Sequence, residues 1–387
     1  MDYIVLFNEN NVTLQISGRL DSTTSPLLEE KINSELEGKA IKKVTIDAIK
    51  LDYISSAGLR VVLKLMKRYD VEIINVSSEV YEIFDMTGFT EMVKVRKAFK
   101  EMSVEGCKVI GEGANGIVYR YNSDTIIKVY KKNDVLPLIQ RERELAKKAF
   151  VLGIPTAISY DVVRVGDSYA SVFELLDSNS MSYCIGNNPE KLEEYAKEFA
   201  HLLKQIHETI VNKNDMPPII NTVNKWYKNI KECFDDATST KLKELISNIK
   251  EVPLMVHGDF HTNNVMVQGD ELILIDMDTL SYGNPVIELG IVDFNYVTMN
   301  LYDKDNSERF LKISESVSRK FFDYFINEYF DGLSKEQIDL NKKKISLLSH
   351  LRALSHMIRR GFDSYAINGA KEAIIKLVSE IDDLNIE

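Results

Sequence analysis

The chain has 387 residues, 44% of them hydrophobic, which is enough for two or three domains with real cores. A net charge of −11 with no basic stripe argues against a nucleic-acid partner. No apolar run approaches the roughly 20 residues that span a bilayer, and Cys107, Cys184 and Cys233 are too scattered for a metal pair or a disulfide framework. The first residues run directly into a strand pattern rather than a signal peptide, so a cytoplasmic protein is expected.

Along the first hundred residues, Val12, Leu14 and Ile16 alternate with polar residues, the pattern of a half-buried strand. Ser25-Pro26 is expected to open a helix with proline at its first position. Leu28, Ile32 and Leu36 mark that helix's buried face. Residues 43–47 read as a strand. Leu59, Val62, Leu63 and Met66 predict an amphipathic helix over 57–68, with Ser55 or Ser56 as its cap. A strand over 71–76 and a short helix over 80–86 follow.

After residue 105 the pattern changes. Lys108-Val109-Ile110 reads as a strand, followed by Gly111-Glu112-Gly113-Ala114-Asn115-Gly116 and a second strand, Ile117-Val118-Tyr119-Arg120. A G-x-G-x-x-G pattern alone is weak, and in dinucleotide-binding folds it must open a helix. Here Asn122-Ser123-Asp124 makes a turn into a third strand over 125–130. Strand, glycine loop, strand is the phosphate-covering arrangement of kinases, where the backbone lies against phosphate oxygens.

Lys128 lies inside that third strand. A buried Lys must be paired, and the helix over 138–151 offers Glu142 and Glu144. Leu138, Ile139, Leu145, Ala146 and Ala149 make its apolar stripe. Glu142 falls on the stripe, and Glu144 falls on the solvated face with Gln140, Arg141, Lys147 and Lys148. Glu142 is therefore the expected partner of Lys128.

His257-Gly258-Asp259-Phe260-His261-Thr262-Asn263-Asn264, then an apolar run over 272–275 and Asp276, carries the strongest chemical signal. It supplies a carboxylate, an amide five residues later, and a second carboxylate at a strand end. Phosphoryl transfer from a nucleotide needs one carboxylate for the acceptor hydroxyl, and an amide oxygen plus a second carboxylate for Mg²⁺. Asp259 is the candidate base, with Asn264 and Asp276 as the candidate metal ligands. His257 reads as a backbone-bonding residue behind the loop, and His261 either packs or approaches the phosphates. Asp278 either supports the metal or supports a loop.

Residues 105–387 resemble the aminoglycoside phosphotransferase and choline kinase group of kinase-like enzymes. The resemblance rests on HGD-x-x-x-x-N with Gly258 where protein kinases carry Arg, and on Ile275-Asp276-Met277-Asp278. Gly153-Ile154-Pro155, Leu202-Leu203-Lys204-Gln205-Ile206-His207 and Gly283-Asn284-Pro285 with Glu288-Leu289 add to it. Asn284 and Glu288 stand where that group usually has Asp, and both read as structural. The resemblance implies a bilobal α+β protein-kinase-like fold, with an N-lobe over about 105–176 and a helical C-lobe over about 177–387. It implies ATP and Mg²⁺ in the cleft, Gly111, Gly113, Gly116, Lys128 and Glu142 on the triphosphate side, and the adenine against the backbone of Glu174 to Leu176.

Residues 1–98 resemble the STAS domain of anti-sigma factor antagonists, an α/β fold with a mixed sheet and helices. The match runs through Gly18-Arg19-Leu20-Asp21, Ile46-Asp47, Asp52-Tyr53-Ile54-Ser55-Ser56-Ala57-Gly58-Leu59 and Phe84-Asp85-Met86-Thr87-Gly88-Phe89. It implies Ser56 as a phosphoacceptor, although Ser55 replaces that family's Asp just before it. Phosphate at a helix N-terminus meets free N–H groups.

The combination is expected to be an ATP-dependent phosphotransferase acting on a small-molecule hydroxyl, with the STAS domain as a regulatory or protein-docking module. A signalling protein Ser/Thr kinase and a non-enzymatic nucleotide sensor are the competing readings. Acceptor selectivity would come from about 190–250 and 300–387. There Asp323, Tyr324, Glu328 and Tyr329 suit a cation by charge and cation–π contact, and Arg352, Arg359 and Arg360 suit an anion. Either group also reads as a solvated helix face.

Overall fold

A computed structural model describes residues 1–113, 115–131 and 135–386. In the first part of the chain the elements run β1 (Asp2–Asn8), β2 (Asn11–Leu20), α1 (Thr24–Leu36), β3 (Lys43–Ile54), α2 (Ser56–Met66), β4 (Asp70–Val76), α3 (Ser78–Met86), α4 (Phe89–Met92) and β5 (Lys94–Lys97). The five strands lie side by side in chain order. β1 and β2 are antiparallel and the remaining pairs are parallel. Because side chains alternate along a strand, Val12, Leu14 and Ile16 all enter the core. Leu28, Ile32 and Leu36 from α1 and Leu59, Val62 and Leu65 from α2 cover them.

Three expectations shift here. α1 begins at Thr24, so Pro26 is its third residue rather than its first. No hydrogen bond is lost, because the first four N–H groups of a helix have no acceptor within it. β3 continues past Asp47 to Ile54. The Asp47 carboxylate accepts bonds from the Gln15 and Asn75 side chains at 3.3 and 3.0 Å, which allows it to sit within the strand. In the last turn of α2 the buried residue is Leu65, while Leu63 and Met66 are half-buried.

The rest of the chain runs β6 (Lys108–Glu112), β7 (Gly116–Arg120), β8 (Thr125–Tyr130), α5 (Leu136–Val151), β9 (Asp161–Val165), β10 (Ser168–Glu174), β11 (Asn179–Ser180), α6 (Met181–Asn187), α7 (Leu192–Glu208), α8 (Ile220–Ile230) and α9 (Asp236–Ser247). Then come β12 (Met255–Val256), β13 (Val265–Gln268), β14 (Glu271–Leu274), β15 (Ser281–Tyr282), α10 (Pro285–Asp293), α11 (Met299–Tyr302), α12 (Asn306–Leu311), α13 (Glu315–Tyr329), α14 (Lys335–Arg360) and α15 (Ser364–Glu380). β6, β7, β8 and β10 form an antiparallel sheet in that order. By contacts the chain divides into Met1–Ser103 with Val162–Asp167, and Val104–Asp161 with Ser168–Glu387.

The helical core of the second unit is built on rings. Phe199 of α7 meets Phe260, Tyr296, Phe321 and Phe325 with centroids 4.2 to 6.2 Å apart. Phe260 belongs to the His257–Asn264 segment, so this cluster anchors that loop to α7. α5 starts two residues earlier than its periodicity suggests, and Leu138 is 62% exposed rather than part of the stripe. Ile139, Glu142, Leu145, Ala146 and Ala149 make the buried face.

Candidate active site

β8 carries Lys128 beneath the glycine loop, and α5 brings Glu142 to it. The Lys128 Nζ donates to Glu142 Oε1 at 3.1 Å and to Asp276 Oδ1 at 2.8 Å. Burial alone would lower the Lys128 pKa, but Glu142 and then Asp276 outweigh it and raise it above the usual lysine value. Glu142 is buried and is held from its other side by the Tyr130 hydroxyl at 2.9 Å. Tyr130 in turn contacts the Ser171 hydroxyl at 3.2 Å. Burial and the Glu142 charge push the Tyr130 phenol well up, so it remains a donor. Glu144 is exposed.

The three glycines have different reasons. A Cβ on Gly116 would lie 2.6 Å from the Val129 carbonyl oxygen, so the approach of β7 to β8 by itself demands glycine there. A Cβ on Gly113 would meet nothing within 4 Å, and on Gly111 only the Val118 side chain at ordinary contact. The loop is closed by Gly113 N–H donating to the Gly116 carbonyl at 2.9 Å. Ala114 lies outside the described residues.

The segment from His257 to Asn264 is held by a buried carboxylate. Glu288 of α10 is fully buried and accepts the backbone N–H groups of His257 at 2.7 Å and Gly258 at 2.5 Å. The His207 Nε2 lies 3.0 Å from Glu288 Oε2, and the Tyr329 hydroxyl lies 2.7 Å from His207 Nδ1. Asn284 caps α10 by accepting from Val286 N–H at 3.1 Å, with Pro285 next. Gly258 has φ of +85°, and a Cβ there would meet the Thr279 carbonyl oxygen at 2.5 Å. Both conditions demand glycine. His257 is fully buried, its pKa is lowered by burial, and its Nδ1 accepts from Asp259 N–H at 3.3 Å.

These supports turn Asp259 into the cleft. Its Oδ2 is 3.5 Å from His261 Nε2 and its Oδ1 is 3.6 Å from the Arg352 guanidinium. Burial would raise the Asp259 pKa, but His261 and Arg352 overcome that and hold it well below the usual carboxylate range. The Asn264 amide nitrogen donates to the Asp259 carbonyl at 3.0 Å, which fixes the amide's orientation and leaves Oδ1 available to a cation. Asp276 follows β14 in a left-handed conformation, φ 63°, which Asp tolerates better than most residues. Asp278 is open to solvent on one side, yet surrounding protein atoms and then the Asp276 and Glu142 carboxylates push it up to about 7. The Asn115 amide reaches it at 3.4 Å.

On the connecting strand, Leu175 N–H donates to the Asp124 carbonyl at 2.8 Å. Backbone groups alternate along a strand, so those of Glu174, the last residue of β10, face away from β8. The acidic and aromatic residues of α13 do not come together as a site. Glu328 pairs with His201 at 2.9 Å, Tyr329 is spent on His207, and Asp323 is exposed. Arg352 and Arg359 do reach the cleft side, where with Lys225 they line a cavity of about 270 Å³ beside Gly258. Arg360 is exposed and is not among the residues lining it.

Tyr130, Glu288's clamp and Arg352's contact with Asp259 are the parts that sequence reasoning did not find. Tyr130 and Glu288 leave no local pattern, since each is defined by what it meets across the fold. Arg352 had a signal. With Ser355, His356 and Arg359 it makes an i, i+3, i+4, i+7 polar row, which marks one face of a helix.

Comparison with known proteins gives two family matches along the chain. Residues 3–102 match the STAS domain, and residues 106–312 match the phosphotransferase enzyme family. A relative from Bordetella bronchiseptica, BtrV, named as an anti-sigma factor antagonist, is 32% identical over 85 residues, covering 21% of this chain and 72% of the relative. Among solved structures, the streptomycin-ATP complex of APH(2")-IIa is 17% identical with a TM-score of 0.46, covering 78% of this chain and 99% of that one. A thermostable mutant of aminoglycoside phosphotransferase APH(4)-Ia in its apo form is 13% identical with a TM-score of 0.47, covering 71% and 94%. No described helix is long and apolar enough to cross a membrane. The chain belongs to the phosphotransferase enzyme family, as a kinase-type enzyme whose phosphotransferase domain follows a STAS domain.

Proposed function

We propose that this enzyme moves the γ-phosphoryl group of ATP to a hydroxyl of a small molecule, using Mg²⁺, with the STAS domain as a regulatory or docking module. In this reading residues 1–98 are the STAS part and 105–387 the catalytic part, with lobes dividing near residue 176. The observation that carries it is the convergence of Lys128, Glu142 and Asp276 within hydrogen-bond distance, with Asn264 bonded to the backbone of Asp259 and the Asp259 carboxylate beside His261 and Arg352.

The donor set fits a hard cation. Asn264 Oδ1 and the Asp276 carboxylate would hold Mg²⁺, with Asp278 adjacent, and all are oxygen ligands. When bound, that ion spreads the negative charge that develops on the transferred group. Lys128, kept charged by Glu142, positions the phosphates. The glycine loop covers them, and the backbone of Glu174 to Leu176 receives the adenine edge.

Asp259 accepts the hydroxyl hydrogen and aims the oxygen at phosphorus. The new O–P bond forms as the bond from phosphorus to the ADP oxygen breaks, and the electron pair of that bond leaves with ADP. The proton passes to Asp259 and then to solvent. A carboxylate with a depressed pKa is a weak base, which suits a loose transition state in which positioning does most of the catalysis.

Little room supports a protein acceptor. Between Asp276 and α10 the chain is a single 3-10 turn, Met277–Thr279, followed by β15, which is paired to β12. In the STAS unit, Ser55 caps α2 by accepting from Ala57 N–H at 3.2 Å, while Ser56 is exposed in the first helical turn. That division of roles supports Ser56 as the phosphoacceptor for a partner kinase.

The test is ADP release with Mg-ATP and pooled alcohol acceptors, wild type beside Asp259→Asn. The variant is expected to lose about 10²- to 10⁴-fold in kcat while keeping its nucleotide affinity. Equal turnover in the two proteins would remove Asp259 from the chemistry.

A further inference from the structure

Two helices face each other across the cavity beside Gly258. α8 contributes Thr222, Lys225, Trp226 and Asn229, and α14 contributes Arg352, Ser355, His356 and Arg359. Both sets follow the spacing i, i+3, i+4, i+7, so each is one continuous helical face. The cavity's lining contains three cations and no carboxylate, in a chain whose net charge is −11. Among the described residues, Lys225 and Arg359 make no ion pair.

Arg352 is built into the wall. Its guanidinium lies 4.4 Å from the Phe294 ring centroid, and its nearest carboxylate is Asp259 at 3.6 Å. Its Nη1 is buried and has no hydrogen-bond partner, an uncommon condition for a buried donor. Asn229 donates to the Ser355 hydroxyl at 3.0 Å, which fixes both polar groups at the cavity edge. Burial and the neighbouring arginines lower the His356 pKa, so it adds a hydrogen-bonding ring without further positive charge.

We infer that this cavity is the acceptor subsite and that it takes an alcohol bearing an oxyanion, either a carboxylate or a phosphate monoester. The inference rests on the phosphotransfer reading and adds the substrate's charge to it. A planar, stacked guanidinium with a free N–H suits two oxygens of one anionic group. The same guanidinium touches Asp259, so an anion held there places a hydroxyl of the same small molecule within reach of the proposed base. A cationic amino alcohol would face Lys225, Arg352 and Arg359 with no carboxylate among the lining residues.

A charge-graded set on one scaffold tests this. Glycerol, glycerate, glycerol 3-phosphate and 3-amino-1,2-propanediol are titrated calorimetrically into the full chain saturated with a non-hydrolysable ATP analogue and Mg²⁺. At least one anionic member is expected to bind about tenfold or more tightly than glycerol, and the amine least tightly. The preferred arm tells carboxylate from phosphate. The exposed Arg359→Glu variant is expected to weaken the anion at least tenfold while leaving nucleotide affinity unchanged. Equal affinities across the set, preference for the amine, or an anion affinity indifferent to Arg359→Glu would each overturn the inference. Failure of the nucleotide analogue to bind would instead strike at the phosphotransfer reading, and anion binding is then read on the nucleotide-free protein by the same criterion.

Discussion

At the scale of single residues, the buried Glu288 holds the start of the His257–Asn264 loop. One carboxylate accepts two backbone N–H groups and contacts His207. Glu288→Gln keeps the size but replaces one acceptor oxygen with a donor, which confronts one of those N–H groups. An unpaired buried donor costs roughly 1–3 kcal/mol. The expected result in urea titration is a loss of that order, with kcat reduced because Asp259 is no longer held. An unchanged midpoint would show that the clamp is dispensable.

A second single-residue effect concerns acid. Bonds from the Thr23 hydroxyl and from the Thr24 and Thr23 backbone N–H groups lower the Asp21 pKa to about 2. The unfolded value is near 3.9. A carboxyl depressed by folding stabilises the fold above the unfolded value, and that contribution disappears as pH falls toward 2. Asp21→Asn should therefore lower Tm at pH 7, and the gap from wild type should close between about pH 4 and 2. A gap independent of pH would mean that the acid form holds the turn equally well.

At the scale of elements, the glycine loop separates into parts with distinct duties. Gly116→Ala forces a methyl against the Val129 carbonyl, a backbone atom that cannot swing aside. Overpacking of this kind costs about 1–3 kcal/mol. Gly113→Ala adds a methyl to open space, so stability should hold while KM for ATP rises. Thermal melts and nucleotide kinetics on the two variants should thus split. If both lose stability alike, the loop is one structural unit.

Much at this scale was legible in the chain. Strand β2 and helix α2 follow from periods of two and 3.6, and β8 from its place after the glycine loop and the turn at 122–124. Glu142 was legible because a carboxylate on a buried stripe needs a cation, and the structure pairs it with Lys128. The boundaries were less so. Pro26 suggested a first helical position but occupies the third, since any of the first turn's positions spares it a hydrogen bond. Leu138 matches the helical period of α5 but lies outside its buried face. Long-range partners such as Tyr130 for Glu142 depend on the assembled fold and leave no local trace, and the polar row of Arg352, Ser355, His356 and Arg359 marks a helix face without naming Asp259 as what it meets.

At the scale of the whole molecule, each unit has its own apolar core. Two thermal transitions are the expected calorimetric result. Mg-ATP analogue at 100 times Kd stabilises the binding unit by about 2.7 kcal/mol. That moves its transition by roughly 4–5 °C and leaves the STAS transition in place. A single transition that moves as one would indicate that the two units melt cooperatively.

The family match ends at residue 312, whereas Arg352 and Arg359 lie on α14, beyond it. The matched segment contains Lys128, Glu142, Asp259, Asn264 and Asp276 and travels with the family name. If the cavity beside Gly258 is the acceptor subsite inferred above, the choice of what is phosphorylated sits on a helix outside the matched segment. Two enzymes can therefore inherit the same reaction by descent and diverge in diet by changing one face of one helix, and the name that fits the first half of such a history says nothing about the second.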